Sequence, residues 1–109
     1  MRRAIIVQLS FEAWHKWPQA PSKHSYLRAR HRHVFHVKAE MTVTNATRDV
    51  EFIELKRNVS SWCNRTLYDT NKSCEQMAED IAKRFGFDRV EVYEDGENGG
   101  LYEQDSNCK

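Results

Sequence analysis

Three histidines in this chain are spaced so that they can meet. His15 closes the run "SFEAWH", and His31 and His33 stand at alternate positions in "HRHVF". Side chains two apart on a strand point to the same side, so His31 and His33 can converge on one ion while His15 arrives from the end of a neighbouring strand. Three neutral imidazoles that leave a fourth position open form a catalytic type of zinc arrangement. Spacing alone leaves a second reading open, in which strand histidines are simply solvated or hydrogen-bonded. His36 points to the other side of the same strand and reads as structural or exposed. His24 falls in a loop, where it can line the mouth of a site.

Such a meeting requires two strands side by side, and the hydrophobic pattern supplies them. Residues 3 to 13, "RAIIVQLSFEA", put Val7, Leu9, Phe11 and Ala13 on one face, a strand signal. Residues 14 to 30 hold both prolines and many basic residues; a loop this long in a small domain points to function rather than connection. Residues 31 to 44 alternate again, with His31, His33, Phe35, Val37, Ala39, Met41 and Val43 on one face. "NATRD" is a turn. "VEFIELKRNVSSW" reads as a helix or helical turn, with Phe52, Leu55 and Val59 at i, i+3 and i+7. In "SCEQMAEDIAKRFGFD", Ser73 and Gln76 form a capping box. There Met77, Ala78, Ile81, Ala82 and Phe85 make the buried stripe, and Gly86 ends the helix. "RVEVYED" is a third strand, "ENGG" a turn and "LYEQ" a fourth strand, and the terminal "QDSNCK" is expected to fray. The order β, β, α, α, β, β predicts one α+β domain, residues 1–109, with an antiparallel four-stranded sheet and two helices on one face.

The bulk numbers narrow the class. Lys plus Arg number 17 against 16 Asp plus Glu, so bulk charge does not hold this chain to nucleic acid or membrane. No apolar run approaches the roughly 20 residues of a membrane span. The apolar start is broken by Gln8, Ser10 and Glu12, too soon for a signal peptide. Cys63, Cys74 and Cys108 form no C-x-x-C pair, which suits a reducing, cytoplasmic setting. Asn45, Asn58, Asn64 and Asn71 begin Asn-x-Ser/Thr triplets that read as turn or cap chemistry. A hydrophobic content of 39% is low for this length, and association is one way to bury more surface.

Several stretches together resemble the 6-pyruvoyl-tetrahydropterin synthase and 6-carboxy-tetrahydropterin synthase family. "SFEAWH" is similar to its Phe-x-Ala-x-His signature, and "RHRHVFHVKAEMTV" to its His-Gly-His strand. "VEFIELKRNV" resembles its Asp-Phe-x-x-Leu-Lys segment, with Glu51 in the aspartate's place. "NKSCEQMAEDIAKRF" resembles its Asn-Pro-Thr-Ser-Glu-Asn helix start, with Ser73 for threonine, and "VEVYED" its Val-x-Val-x-Glu-Thr strand. Order and spacing agree over nearly the whole chain. The resemblance implies a T-fold whose subunits close into a shared β-barrel, as a trimer or a hexamer of two stacked trimers, with sites between subunits. It implies that His15, His31 and His33 bind Zn²⁺ and that Glu94 anchors the amino-oxo edge of a pterin. One carboxylate can accept two parallel N–H bonds from such an edge.

The chain departs from that pattern where protons are moved. Leu27 stands where the family has its catalytic cysteine, Arg32 replaces the glycine between the metal histidines, and "SSWCNRTLYD" lacks the family's Asp-His relay. Tyr26, His24, Cys63 and Asp69 are the residues available as substitutes. Three functions remain open. One is a zinc-dependent lyase or synthase on a dihydroneopterin-triphosphate-type substrate. Another is a redirected, hydrolytic use of the metal, and the last is a protein that only holds a pterin, deazapurine or guanine-like ligand. Lys23, Arg28, Arg30 and Arg32 form a basic cluster that suits a phosphate or carboxylate tail or is merely solvated; Trp14, Trp17 and Tyr26 among them make a weaker case for single-stranded nucleic acid.

Overall fold

The computed structural model describes residues 1–105, so Cys108 and most of the segment expected to fray lie outside the described residues. The chain folds as β1 (Arg3–His15), β2 (His31–Val43), α1 (Phe52–Thr66), β3 (Asp69–Thr70), α2 (Cys74–Phe85), β4 (Arg89–Glu94) and β5 (Asn98–Glu103), with a short 3₁₀ turn at Ser22–Leu27 in the first loop. It is α+β, as the element order predicts. The sheet, however, has five strands in the order β3-β1-β2-β4-β5. The expected four-stranded antiparallel sheet is therefore corrected to a mixed one: β3 lies parallel to β1, pairing Trp14 with Asp69 and His15 with Thr70. Two residues are too few to show a period-two pattern. The rung is instead held by backbone bonds, with Trp14 N–H donating to Tyr68 O at 2.8 Å and Lys16 N–H to Thr70 O at 3.1 Å.

β1 and β2 run antiparallel along their whole length, from Arg3 opposite Val43 to His15 opposite His31. This register places Val7, Leu9, Phe11 and Ala13 beside Ala39, Val37, Phe35 and His33. β4 adds Val90 opposite Ala39 and Val92 opposite Val37. Both helices pack on this face, joining Val59, Cys63, Met77, Ala78, Ile81 and Ala82 to one core. Each large apolar side chain sequestered there contributes about 1.5–3 kcal/mol.

Helix α1 begins on the Glu51 side chain, which accepts from the Ile53 and Glu54 amides. Its buried stripe runs through Val59 and Cys63, while Phe52 is 54% exposed, so the stripe starts later than the i, i+3, i+7 count from Phe52 predicts. Helix α2 carries the expected capping box between Ser73 and Gln76 and stops at Gly86 in the left-handed region, φ 82°. The last hairpin turns earlier than "ENGG". Its central residues are Asp95 (φ 54°) and Gly96 (φ 75°), and Glu97 N–H closes on Glu94 O at 3.0 Å, the positive-φ geometry that an Asp-Gly pair favours. Among the described residues no helix is long and apolar enough to cross a membrane.

Candidate metal centre

The β1–β2 register that builds the core also builds the site. His15, His31 and His33 continue the inward-facing rows of Ala13 and Phe35 beyond the end of the core. Phe35, fully buried, is their floor, with its ring centroid 5.7 Å from those of His15 and His33. One ring nitrogen of each histidine lies within 4.8 Å of the other two. These three side chains can hold a metal ion.

Hydrogen bonds decide which nitrogens are free. A carbonyl oxygen only accepts, so the nitrogen facing it must carry the proton. His15 Nε2 donates to Lys72 O at 2.8 Å, leaving the Nδ1 lone pair inward. His31 Nδ1 donates to Ala29 O at 2.8 Å, leaving Nε2 inward. Those two free nitrogens stand 3.3 Å apart. Two nitrogens bound at about 2.0–2.1 Å to one tetrahedral ion would stand about 3.3–3.4 Å apart. Burial lowers the His15 pKa, outweighing the Lys72 carbonyl and the Glu94 charge that oppose it, and so favours the neutral imidazole that a metal requires. The short strand β3 earns its place here: it leads directly to Lys72, whose own N–H is fixed on the Thr70 hydroxyl at 3.0 Å.

His33 lies between two carboxylates. Its Nε2 is 2.8 Å from Glu94 Oε2 and its Nδ1 is 2.7 Å from Asp95 Oδ2. Each ring nitrogen of His33 therefore has a carboxylate within hydrogen-bond reach. The Val34 amide and then His33 hold the Asp95 carboxyl below the usual carboxylate range.

Beside the histidines opens a cavity of about 490 Å³ lined by His15, Trp17, Leu27, His31, Glu94 and the first turn of α2, among others. Glu94 therefore touches one histidine of the cluster and also lines the cavity. Leu27 lines the wall. Cys74 also lines it, but burial, with help from Glu94 and Glu75, pushes its thiol up to about 12, against the thiolate that a helix start would favour. A larger depression of about 710 Å³ lies mainly on the opposite face of the sheet, around Gln8, Ser10, His36, Lys38 and Tyr93. The only cluster of three metal-ligating side chains among the described residues is the histidine one, so the smaller cavity is the one with chemistry beside it.

The other residues singled out from the sequence lie apart from that cavity's lining among the described residues. Tyr26 is 71% exposed, and His24 packs between it and Trp17. Cys63 is fully enclosed in the core, where burial pushes its thiol up to about 12. Asp69 pairs with Arg30 at 3.3 Å. Arg30 and Arg32 both lie against Trp14, 4.4 and 5.7 Å from its ring centroid, and Arg32 also pairs with Glu12 at 2.6 Å. Arg28 donates to Ala20 O at 2.8 Å. Arg28, Arg30 and Arg32 are thus engaged with a loop carbonyl, the Trp14 ring and strand carboxylates. The sequence reading missed Asp95 and Lys72, and it placed Trp17 beside the basic loop rather than in the cavity wall. Asp-Gly marks a turn, but only strand register shows that the turn ends against His33.

No family model matches the chain, and no curated protein matches it either.

Proposed function

We propose that this chain is a zinc-binding T-fold protein of the tetrahydropterin-synthase kind, which takes a dihydroneopterin-type substrate into the 490 Å³ cavity and acts on its side chain. The single observation that carries this reading is the shared position of Glu94, with one oxygen 2.8 Å from His33 Nε2 and the residue lining the cavity beside His15 and His31. A flat ring held by its donor edge on Glu94 would lie next to the histidine cluster. Three imidazoles with an open fourth position suit Zn²⁺, although imidazole also accepts iron, nickel and copper. When bound, the ion would polarise hydroxyl and carbonyl oxygens on the substrate. The assembly that goes with the reading is a trimer or hexamer closing through sheet edges in the cytoplasm.

One observation favours a second reading, a protein that holds its pterin or guanine-like ligand unchanged. Leu27 occupies the cavity wall where a proton-transfer group would be needed, while Cys63 is sealed in the core. Mass spectrometry of 7,8-dihydroneopterin triphosphate after incubation with zinc-loaded protein separates the two, with His31→Ala as control. A zinc-dependent product with an altered side chain supports the enzyme; Tyr26→Phe and His24→Ala then show which group moves the proton. Loss of phosphate alone indicates a hydrolase. Unchanged ligand recovered on the protein supports the binding role, and no retention of ligand at all refutes both.

A further inference from the structure

His15 and His31 are held by backbone carbonyls, whereas His33 is held by a side chain. We propose, resting on the metal-centre reading above, that Asp95 is the positioning residue of this centre: its carboxylate fixes His33 in the tautomer that offers Nε2 to the ion. Asp95 Oδ2 meets His33 Nδ1 at 2.7 Å. The carboxylate is itself clamped, because Oδ1 accepts the Val34 amide at 2.9 Å and Asp95 N–H donates to Val34 O at 2.7 Å. Val34 is the residue after His33, so the clamp registers the hairpin against the strand that carries the ligand. A carboxylate–histidine–metal arrangement of this kind orients the ring and raises its basicity as a ligand.

The backbone supports the same assignment. Asp95 sits at φ 54°, ahead of Gly96 at φ 75°, in a region that glycine enters most easily and that Asn and Asp tolerate. Glycine there would give the same turn without the contact to His33. The two neighbouring carboxylates have different tasks: Glu94 faces the nitrogen that must bind metal, and Asp95 faces the one that must not.

The test is zinc affinity, measured by competition with a chromogenic chelator on the full chain. Asn in place of Asp95 keeps the backbone but has one acceptor oxygen instead of two. If that oxygen stays on the Val34 amide, the NH₂ group faces His33 Nδ1 and drives the proton onto Nε2. Asp95→Asn and Asp95→Gly should each weaken zinc binding about 10–100-fold. The melting temperature of Asp95→Asn without zinc should stay near that of the parent, and the visible spectrum of the cobalt-loaded protein should shift in both variants. Zinc affinity within about threefold of the parent in both variants would overturn the assignment. A parent chain that binds no metal, or a His31→Ala chain that binds it equally well, would instead remove the metal-centre reading and this inference with it.

Discussion

Adding zinc to the metal-free protein should raise its melting temperature by an amount that follows from how the ligands are held. The three histidines lie on two strands already locked in register, so little chain has to be ordered when the ion arrives. His15 Nδ1 and His31 Nε2 already stand 3.3 Å apart. At free zinc about a hundredfold above Kd, selective binding to the folded state adds about 2.7 kcal/mol. For a domain of about 100 residues, each kcal/mol moves Tm by about 4–8 °C, which gives a rise of roughly 10–20 °C. Differential scanning fluorimetry against a zinc titration measures it. His31→Ala removes the nitrogen nearest His15 and should abolish most of the rise. His36→Ala serves as control, since His36 pairs with Ser10 and Tyr93 on the opposite face and should leave the rise intact. A shift that survives His31→Ala, or that disappears with His36→Ala, refutes the three-histidine centre.

Two further outcomes test the scaffold beneath the site. Phe35 has no exposed surface and supports both Phe11, 5.5 Å away between ring centroids, and the histidines, so Phe35→Ala should cost about 3–5 kcal/mol in urea unfolding. Phe35→Leu should cost less while still weakening zinc, because the ring edges under His15 and His33 are gone; unchanged zinc affinity would show that the floor does not position them. Asp88 tests the far end of the sheet. Burial opposes its ionisation, but the Thr42 amide, the Arg2 guanidinium and the Thr42 hydroxyl together hold its carboxyl below the usual range. A depressed folded-state value means stability that is present above the ordinary carboxylate pKa of about 3.9 and lost as pH falls through the folded value. Asp88→Asn should therefore lower stability at neutral pH by on the order of 1–3 kcal/mol and flatten its decline in acid. An equally steep acid decline in the variant would assign it to other carboxylates.

The sequence by itself determined the elements and the candidate ligands. Alternation made β1 and β2 legible, Ser73 and Gln76 marked the start of α2, and His31 and His33 had to share a face because a strand repeats every two residues. What it could not determine was everything set by register or by short backbone contacts. The strand β3 has two residues and no pattern, yet it leads to the carbonyl that fixes His15. Phe52 fits a helical stripe by count but is left exposed, because packing against β1 chooses Val59 and Cys63 instead. Arg30 and Arg32 read as free cations in a loop, and tertiary structure spends them on Trp14, Asp69 and Glu12. Asp95 is a turn residue in any linear reading. It becomes the partner of His33 only when β4 pairs with β2 and ends one residue short of it, which is a property of the folded sheet and not of local sequence.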